Sequence, residues 1–188
     1  MDRKRELSQM SDSELLKMVS SDDRFAFNTL VERYGPRLYN FICRMVSDFS
    51  LAQDILQETL LRVYKKRGMG DRIRDFRSFV YAMAANLARD ELRKQRRRVT
   101  PEDPQAIDCV GDESARPDLK VEKQELRRRI ELAIHALPRE QREVIVLRDM
   151  EGLSYEEVRR ILGLRMGTVK SRLNRARLKL QEELGPYL

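Results

Sequence analysis

The apolar positions of this chain fall in helical rather than strand spacing over nearly its whole length. Ser11-Asp12-Ser13-Glu14 has the form of a capping box, a hydroxyl and a carboxylate three residues apart that can satisfy free amides at a helix start. Leu15, Leu16 and Val19 follow it. Ser50 with Gln53 predicts a second helix start, running to about Lys66, after which Gly68-Met69-Gly70 breaks the pattern. From Ser78 to about Arg97, the residues Val80, Ala84, Ala88 and Leu92 form one i, i+4 row along a single helix face. Val121 to Ala136 predicts a further helix, and Pro138 suits the first turn of the next, which carries Val144, Ile145 and Leu147. A second box, Ser154 with Glu157, opens a helix bearing Val158, Ile161 and Leu162, and the final helix stops at Gly185-Pro186.

One stretch has no period. Val99 to Asp118 contains Pro101, Pro104 and Pro117 with apolar residues only at scattered positions, which predicts a flexible tether. The expected fold is therefore all-α: two small helical domains, 1–98 and 119–188, joined by a flexible acidic linker, 99–118.

Charge sharpens this division. The 188 residues carry 38 Lys+Arg against 31 Asp+Glu, a net +7. Residues 1–98 hold 21 basic and 14 acidic side chains, the linker 1 and 6, and residues 119–188 hold 16 and 11. Two basic blocks thus flank an acidic spacer. The excess suggests a polyanionic partner, and on charge alone nucleic acid and an acidic membrane surface serve equally.

Cys43, Cys109 and the lone His135 give no metal-ligand spacing and no disulfide framework, so neither cofactor nor metal is expected and a reducing cytoplasm is the expected setting. The N-terminus leads into no apolar signal-like core and no run approaches membrane-spanning length, so no membrane insertion is expected. An enzyme is disfavoured: one histidine, no phosphate-cradling glycine loop and no nucleophile elbow. His135 and Cys43 are expected to pack structurally.

Ser154 to about Lys179 reads as a helix-turn-helix. Gly163 follows the first helix immediately, where a residue tolerating positive φ turns the chain cheaply. The second helix presents Val169, Leu173, Ala176 and Leu180 on one face. Its other side carries Lys170, Ser171, Arg172, Asn174, Arg175 and Arg177, with no acid before Glu182. Arg can bond guanine bidentately, Asn can bond adenine, and Ser and Lys suit phosphates, so the helix is shaped for a major groove. A solvated face would interleave acids with its bases, and this one does not.

Gly167-Thr168-Val169-Lys170-Ser171-Arg172-Leu173-Asn174-Arg175-Ala176-Arg177 resembles the region 4 motif of extracytoplasmic-function (ECF) sigma factors, and Leu137-Pro138-Arg139-Glu140-Gln141-Arg142-Glu143-Val144 resembles the segment preceding it. Asp54-Ile55-Leu56-Gln57-Glu58-Thr59 resembles region 2.2, and Phe76-Arg77-Ser78-Phe79 through Asn86-Leu87-Ala88 to Arg93 resembles regions 2.3 and 2.4.

The resemblance implies that the first domain is sigma region 2, which binds the clamp helices of core RNA polymerase and melts and reads the −10 element. It implies that the second is sigma region 4, which binds the −35 element from a helix beginning near Thr168. Promoter DNA, double- and single-stranded, and an anti-sigma factor are the implied further partners. Asp54, Gln57 and Glu58, at i, i+3 and i+4, share one polar face. An acidic patch in a basic domain suits docking on a basic protein surface better than DNA. For −10 DNA the candidates are Phe76 and Phe79, as stacking platforms or core residues, Asn86, as a base reader or a partner for a buried backbone group, and Arg93, Lys94 and Arg97 for phosphates. Phe79 stands where family members carry Trp, and Arg159 stands where a small residue packs against the second helix. The stem of Arg159 is expected to run outward. A sigma-like decoy that occupies an anti-sigma factor and an autonomous helix-turn-helix regulator are the rival readings. The Asp54–Glu58 string and the lack of a dimerisation heptad weigh against the regulator, and the intact arginines of both domains weigh against the decoy.

Overall fold

The computed structural model describes residues 2–68, 73, 75–98 and 120–185, and among these it is helical with no strand. The expected linker and Cys109 lie outside the described residues. The helices are α1 (Asp2–Gln9), α2 (Asp12–Ser20), α3 (Arg24–Val46), α4 (Phe49–Lys65), α5 (Phe76–Arg98), α6 (Lys120–Ala136), α7 (Arg139–Ile145), α8 (Tyr155–Leu162) and α9 (Met166–Leu184), with a π-helical turn at Val146–Met150 continuing α7. No described helix is long and apolar enough to cross a membrane.

In the first block α3 is the central helix, packed by α1, α2, α4 and α5. It continues through Gly35-Pro36, a pair unfavourable inside a helix. Burial of Leu30, Leu38, Phe41, Ile42 and Met45 along its length outweighs the one hydrogen bond that Pro36 removes. Phe41 meets Tyr81 of α5 edge to face at 5.5 Å, and both rings are fully buried. Each such ring contributes roughly 1.5–3 kcal/mol by leaving water. In the second block α7 and α9 pack together, with α6 and α8 against α9.

Both capping boxes are present, at Ser11 with Glu14 and at Ser154 with Glu157. Three boundaries differ from expectation. The α4 cap is Asp48, whose carboxylate accepts from the Leu51 amide at 2.9 Å, and not Ser50. The left-handed Ser47 turns the chain earlier than the Ser50–Gln53 spacing suggests. Helix α5 begins at Phe76 because Asp75 accepts the Ser78 amide at 3.1 Å. Pro138 stands at the N-cap with ψ near 137° instead of inside the first turn.

The two blocks pack on each other. Helix α8 lies against α5, α6 and α7 lie against α3, and the buried residues of both blocks form one contiguous cluster. His135 is buried at this junction, as its apolar neighbours suggest, with Nδ1 2.8 Å from the Ser47 hydroxyl. Burial, and then the Arg142 charge, push its pKa down to about 4. The unfolded chain therefore takes up a proton below about pH 6.5 that the folded chain refuses, so stability is lost as pH falls from 6.5 towards 4 and is unaffected above. Urea midpoints should show wild type losing about 2 kcal/mol more than His135→Gln between pH 7 and pH 5. Parallel pH profiles would contradict this.

Candidate nucleic-acid and polymerase-binding surfaces

Helix α8, the Gly163 turn and α9 form the expected helix-turn-helix. Gly163 has φ 67° and ψ 30°, and a Cβ there would meet nothing within 4 Å, so the glycine is needed for its conformation and not for space. Val158, Ile161 and Leu162 of α8 are buried, as are Val169, Leu173 and Ala176 of α9. Arg159 points outward, paired with Glu156 at 2.8 Å, so the first helix packs through Val158 undisturbed.

The polar face of α9 divides in two. Lys170, Ser171, Asn174 and Arg175 are exposed, with Thr168 half-buried at the helix start. Arg172 instead turns to Glu140 of α7 at 2.6 Å, its own side chain 22% exposed. Arg177 grips Asp149 through two bonds of 2.8 and 2.7 Å. These two arginines tie α9 to its supports, although Arg177 stays 49% exposed, whereas Lys170, Ser171, Asn174 and Arg175 are exposed without an ion pair among the described residues.

In the first block, Asp54 and Gln57 of α4 are exposed and Glu58 is half-exposed, bonded to Arg62 at 2.6 Å, while Ile55 is buried. Leu61 belongs to the same face, seven residues after Asp54 and three after Glu58, and is 53% exposed. The sequence held this signal: a leucine at helical spacing on the polar side of an amphipathic helix.

Along α5 the candidates separate by depth. Phe76 is only 4% exposed and meets Tyr34 edge to face at 5.3 Å, which places it in the core. Phe79 is half-buried and packs against that core. Asn86 is exposed, its Oδ1 accepting weakly from Arg89 at 3.5 Å, so it satisfies no buried backbone group. Arg93, Lys94 and Arg97 are exposed and, with Arg62 and Leu87, line a shallow groove between α4 and α5. Lys94 is bonded to Glu91 at 2.8 Å, and Arg93 lies 3.6 Å from Asp90. Part of the basic excess is therefore neutralised by neighbours one turn back, and Arg97 pairs with no acid among the described residues.

Sequence reasoning did not find the buried acids between the blocks. Glu151, beside Gly152 in the turn before α8, is 4% exposed. Its carboxylate accepts from the Tyr81 hydroxyl at 2.5 Å and lies 3.3 Å from Arg37 Nε. Its carbonyl accepts from Arg37 and Arg77. Burial and this carboxylate raise the Tyr81 pKa well above the usual phenol range. Glu143 is 5% exposed and is met by Arg89 at 2.8 Å and Arg139 at 3.0 Å. Burial alone would raise its pKa, and Arg89 first, then Arg139, holds it below the ordinary value instead. No group of side chains able to hold a metal ion occurs among the described residues.

Both blocks match known protein families. The family described as Sigma-70 region 2 matches residues 30–98, and Sigma-70, region 4 matches residues 127–180. The RNA polymerase sigma-H factor of Pseudomonas aeruginosa is 34% identical over an alignment covering 97% of this chain and 98% of that protein. The ECF RNA polymerase sigma-E factor of Haemophilus influenzae is 33% identical, covering 96% and 98%. Among solved structures, the sigma factor RpoE of Bartonella quintana, in complex with the anti-sigma factor NepR, is 28% identical with a TM-score of 0.70, covering 86% of this chain and 98% of that one. CnrH, solved with the cytosolic domain of CnrY, has the same TM-score at 24% identity over 94% of this chain and shares the fold.

Proposed function

This chain belongs to the ECF group of RNA polymerase sigma factors, and from that membership we propose how its surfaces divide the work of promoter-directed transcription initiation. Residues 1–98 dock on core polymerase through Asp54, Gln57, Glu58 and Leu61 of α4, an acidic rim around an exposed leucine that suits a basic, partly apolar protein surface. The α5 tail, with Asn86, Arg93, Lys94 and Arg97, takes the −10 region, its cations on phosphates and its amide on a base edge. Phe79, half-buried, is the aromatic left to meet an unstacked base, and Phe76 serves the core. Residues 119–188 take the −35 element through Thr168, Lys170, Ser171, Asn174 and Arg175. Arg172 and Arg177 fix the angle at which α9 is presented.

The observation that carries this reading is that the charges of the chain are sorted by surface. An acid-and-leucine face occupies α4 and an acid-free basic face occupies α9, each on a rigid helix. The protein acts by binding and has no catalytic step of its own, in the cytoplasm where polymerase and chromosome meet. By likeness to RpoE, which is solved with NepR, an anti-sigma factor is a further partner. Co-elution with core polymerase in gel filtration tests the docking assignment. A stable one-to-one complex that is lost at high salt is expected, and a chain that elutes alone at low salt would overturn it.

A further inference from the structure

Four cations line the groove between α4 and α5, and one of them differs from the rest in where its acid lies. Arg62 supplies the α4 wall, while Arg93, Lys94 and Arg97 come from α5 together with Asp90 and Glu91. Lys94 is bonded to Glu91 at 2.8 Å and Arg93 lies 3.6 Å from Asp90, each pair closed within one turn of α5. Both acids line the groove themselves, so they stay beside their cations whatever enters it. Glu58 does not line it. It holds Arg62 Nε at 2.6 Å from one turn back on α4, where it also belongs to the exposed face of Asp54, Gln57 and Leu61.

This ion pair therefore joins two surfaces. Its side chains are 51% and 44% exposed, so parting them strands no charge away from water. Four cations against two acids leave the groove an excess of two positive charges, and Glu58 offsets one of them. A carboxylate drawn to a basic protein surface releases its hold on Arg62, and a guanidinium seated on a phosphate releases Glu58. By thermodynamic reciprocity each event favours the other by the same factor, which for an exposed pair of this kind is at most about fivefold.

We propose that Arg62 is a further contact to the DNA backbone, held off by Glu58 in the free chain and released when core polymerase engages Glu58. The proposal rests on the division of surfaces above, with Glu58 on the polymerase side and the α5 tail on the DNA side. It adds to that division a residue from α4 and a physical link between the two faces. Guanidinium on phosphate is a charge-assisted, bidentate contact, and Arg62 meets a strand in the groove from the wall opposite Arg97.

The test titrates full-length variants with a fluorescein-labelled, random-sequence single-stranded DNA of about 12 nucleotides, read by anisotropy. Glu58→Gln should tighten binding about two- to fivefold, and Arg62→Gln should weaken it. In the double variant Glu58→Gln should bring no gain, and its salt slope should fall below that of Glu58→Gln by about 0.7, the loss of one phosphate contact. Asp54→Asn removes the same charge from the same face without touching Arg62, and should change affinity less than about 1.5-fold. By reciprocity, saturating oligonucleotide should tighten the binding of core polymerase about two- to fivefold in wild type and not in Arg62→Gln. These side chains all reach solvent, so melting temperatures should match wild type and separate a lost contact from misfolding. A Glu58→Gln gain that persists without Arg62, or that Asp54→Asn equals, would overturn the release. Binding that falls with Lys94→Ala and Arg97→Ala but not with Arg62→Gln would overturn the contact and leave the α5 assignment standing. Binding that none of these three changes would overturn the α5 assignment and the proposal with it.

Discussion

Replacing Arg175 by alanine is expected to lower transcription from a −35-dependent promoter by about 5- to 150-fold while leaving the binding of core polymerase unchanged. Arg175 is exposed, and none of the described acids pairs with it. Its guanidinium is free to meet a guanine edge bidentately, an interaction worth roughly 1–3 kcal/mol of discrimination. Asn174 and Lys170 stand beside it on the same face, so Lys170→Ala should add a smaller loss, uniform across promoter sequences and steeper at high salt. The contrast with Arg172 and Arg177 gives the prediction its edge. Those two are bonded to Glu140 and Asp149. Their removal loosens the seat of α9 and should lower the melting temperature as well as activity, whereas Arg175→Ala should leave melting unchanged. Run-off transcription and thermal denaturation on the three variants separate the cases. Equal activity losses with equal loss of stability would assign all three to structure.

The second large effect is expected at α4. Asp54→Lys should weaken core polymerase binding by about a hundredfold or more, because a like charge set against a basic surface costs several kcal/mol. Leu61→Ala should cost about 2 kcal/mol, near thirtyfold, if this leucine is the apolar anchor at the centre of the face. Both residues are solvent-exposed in the free chain, so neither change should alter its melting temperature. Glu58→Gln is the internal comparison. It removes the exposed pair with Arg62, which by itself is worth less than about 1 kcal/mol of stability. Any larger loss of polymerase binding in that variant then belongs to the partner. Gel-shift titration against core enzyme reads all three, and tight binding by Asp54→Lys would remove α4 as the docking surface.

The helices, both capping boxes, the Gly163 turn and the buried stripe of α9 were legible because each is a local matter. Caps and turns depend on a few adjacent residues, and amphipathic spacing reports burial directly. The same locality hid the junction between the blocks. Nothing within a few residues of Glu151 marks it as buried, since the groups that satisfy it, Arg37, Arg77 and Tyr81, come from two helices of the other block. The pairing of Arg172 was hidden for a related reason. On a helical wheel it belongs with the basic face, and only the packing of α7 beside α9 brings Glu140 to it. Phe76 reads as a free aromatic until Tyr34 is folded against it. Leu61, by contrast, was visible in the sequence: its position on the wheel sets it among Asp54, Gln57 and Glu58, where an apolar side chain has no core to fill.

The central claim is that this chain directs core polymerase to promoters. It is tested most directly by mapping the 5′ ends of transcripts made by core polymerase, with and without the protein, on fragments of the genome that encodes it. The account predicts new start sites that share two spaced upstream elements and appear only when the chain is added. A core enzyme that binds the protein yet starts nowhere new, with no anti-sigma factor present, would contradict it.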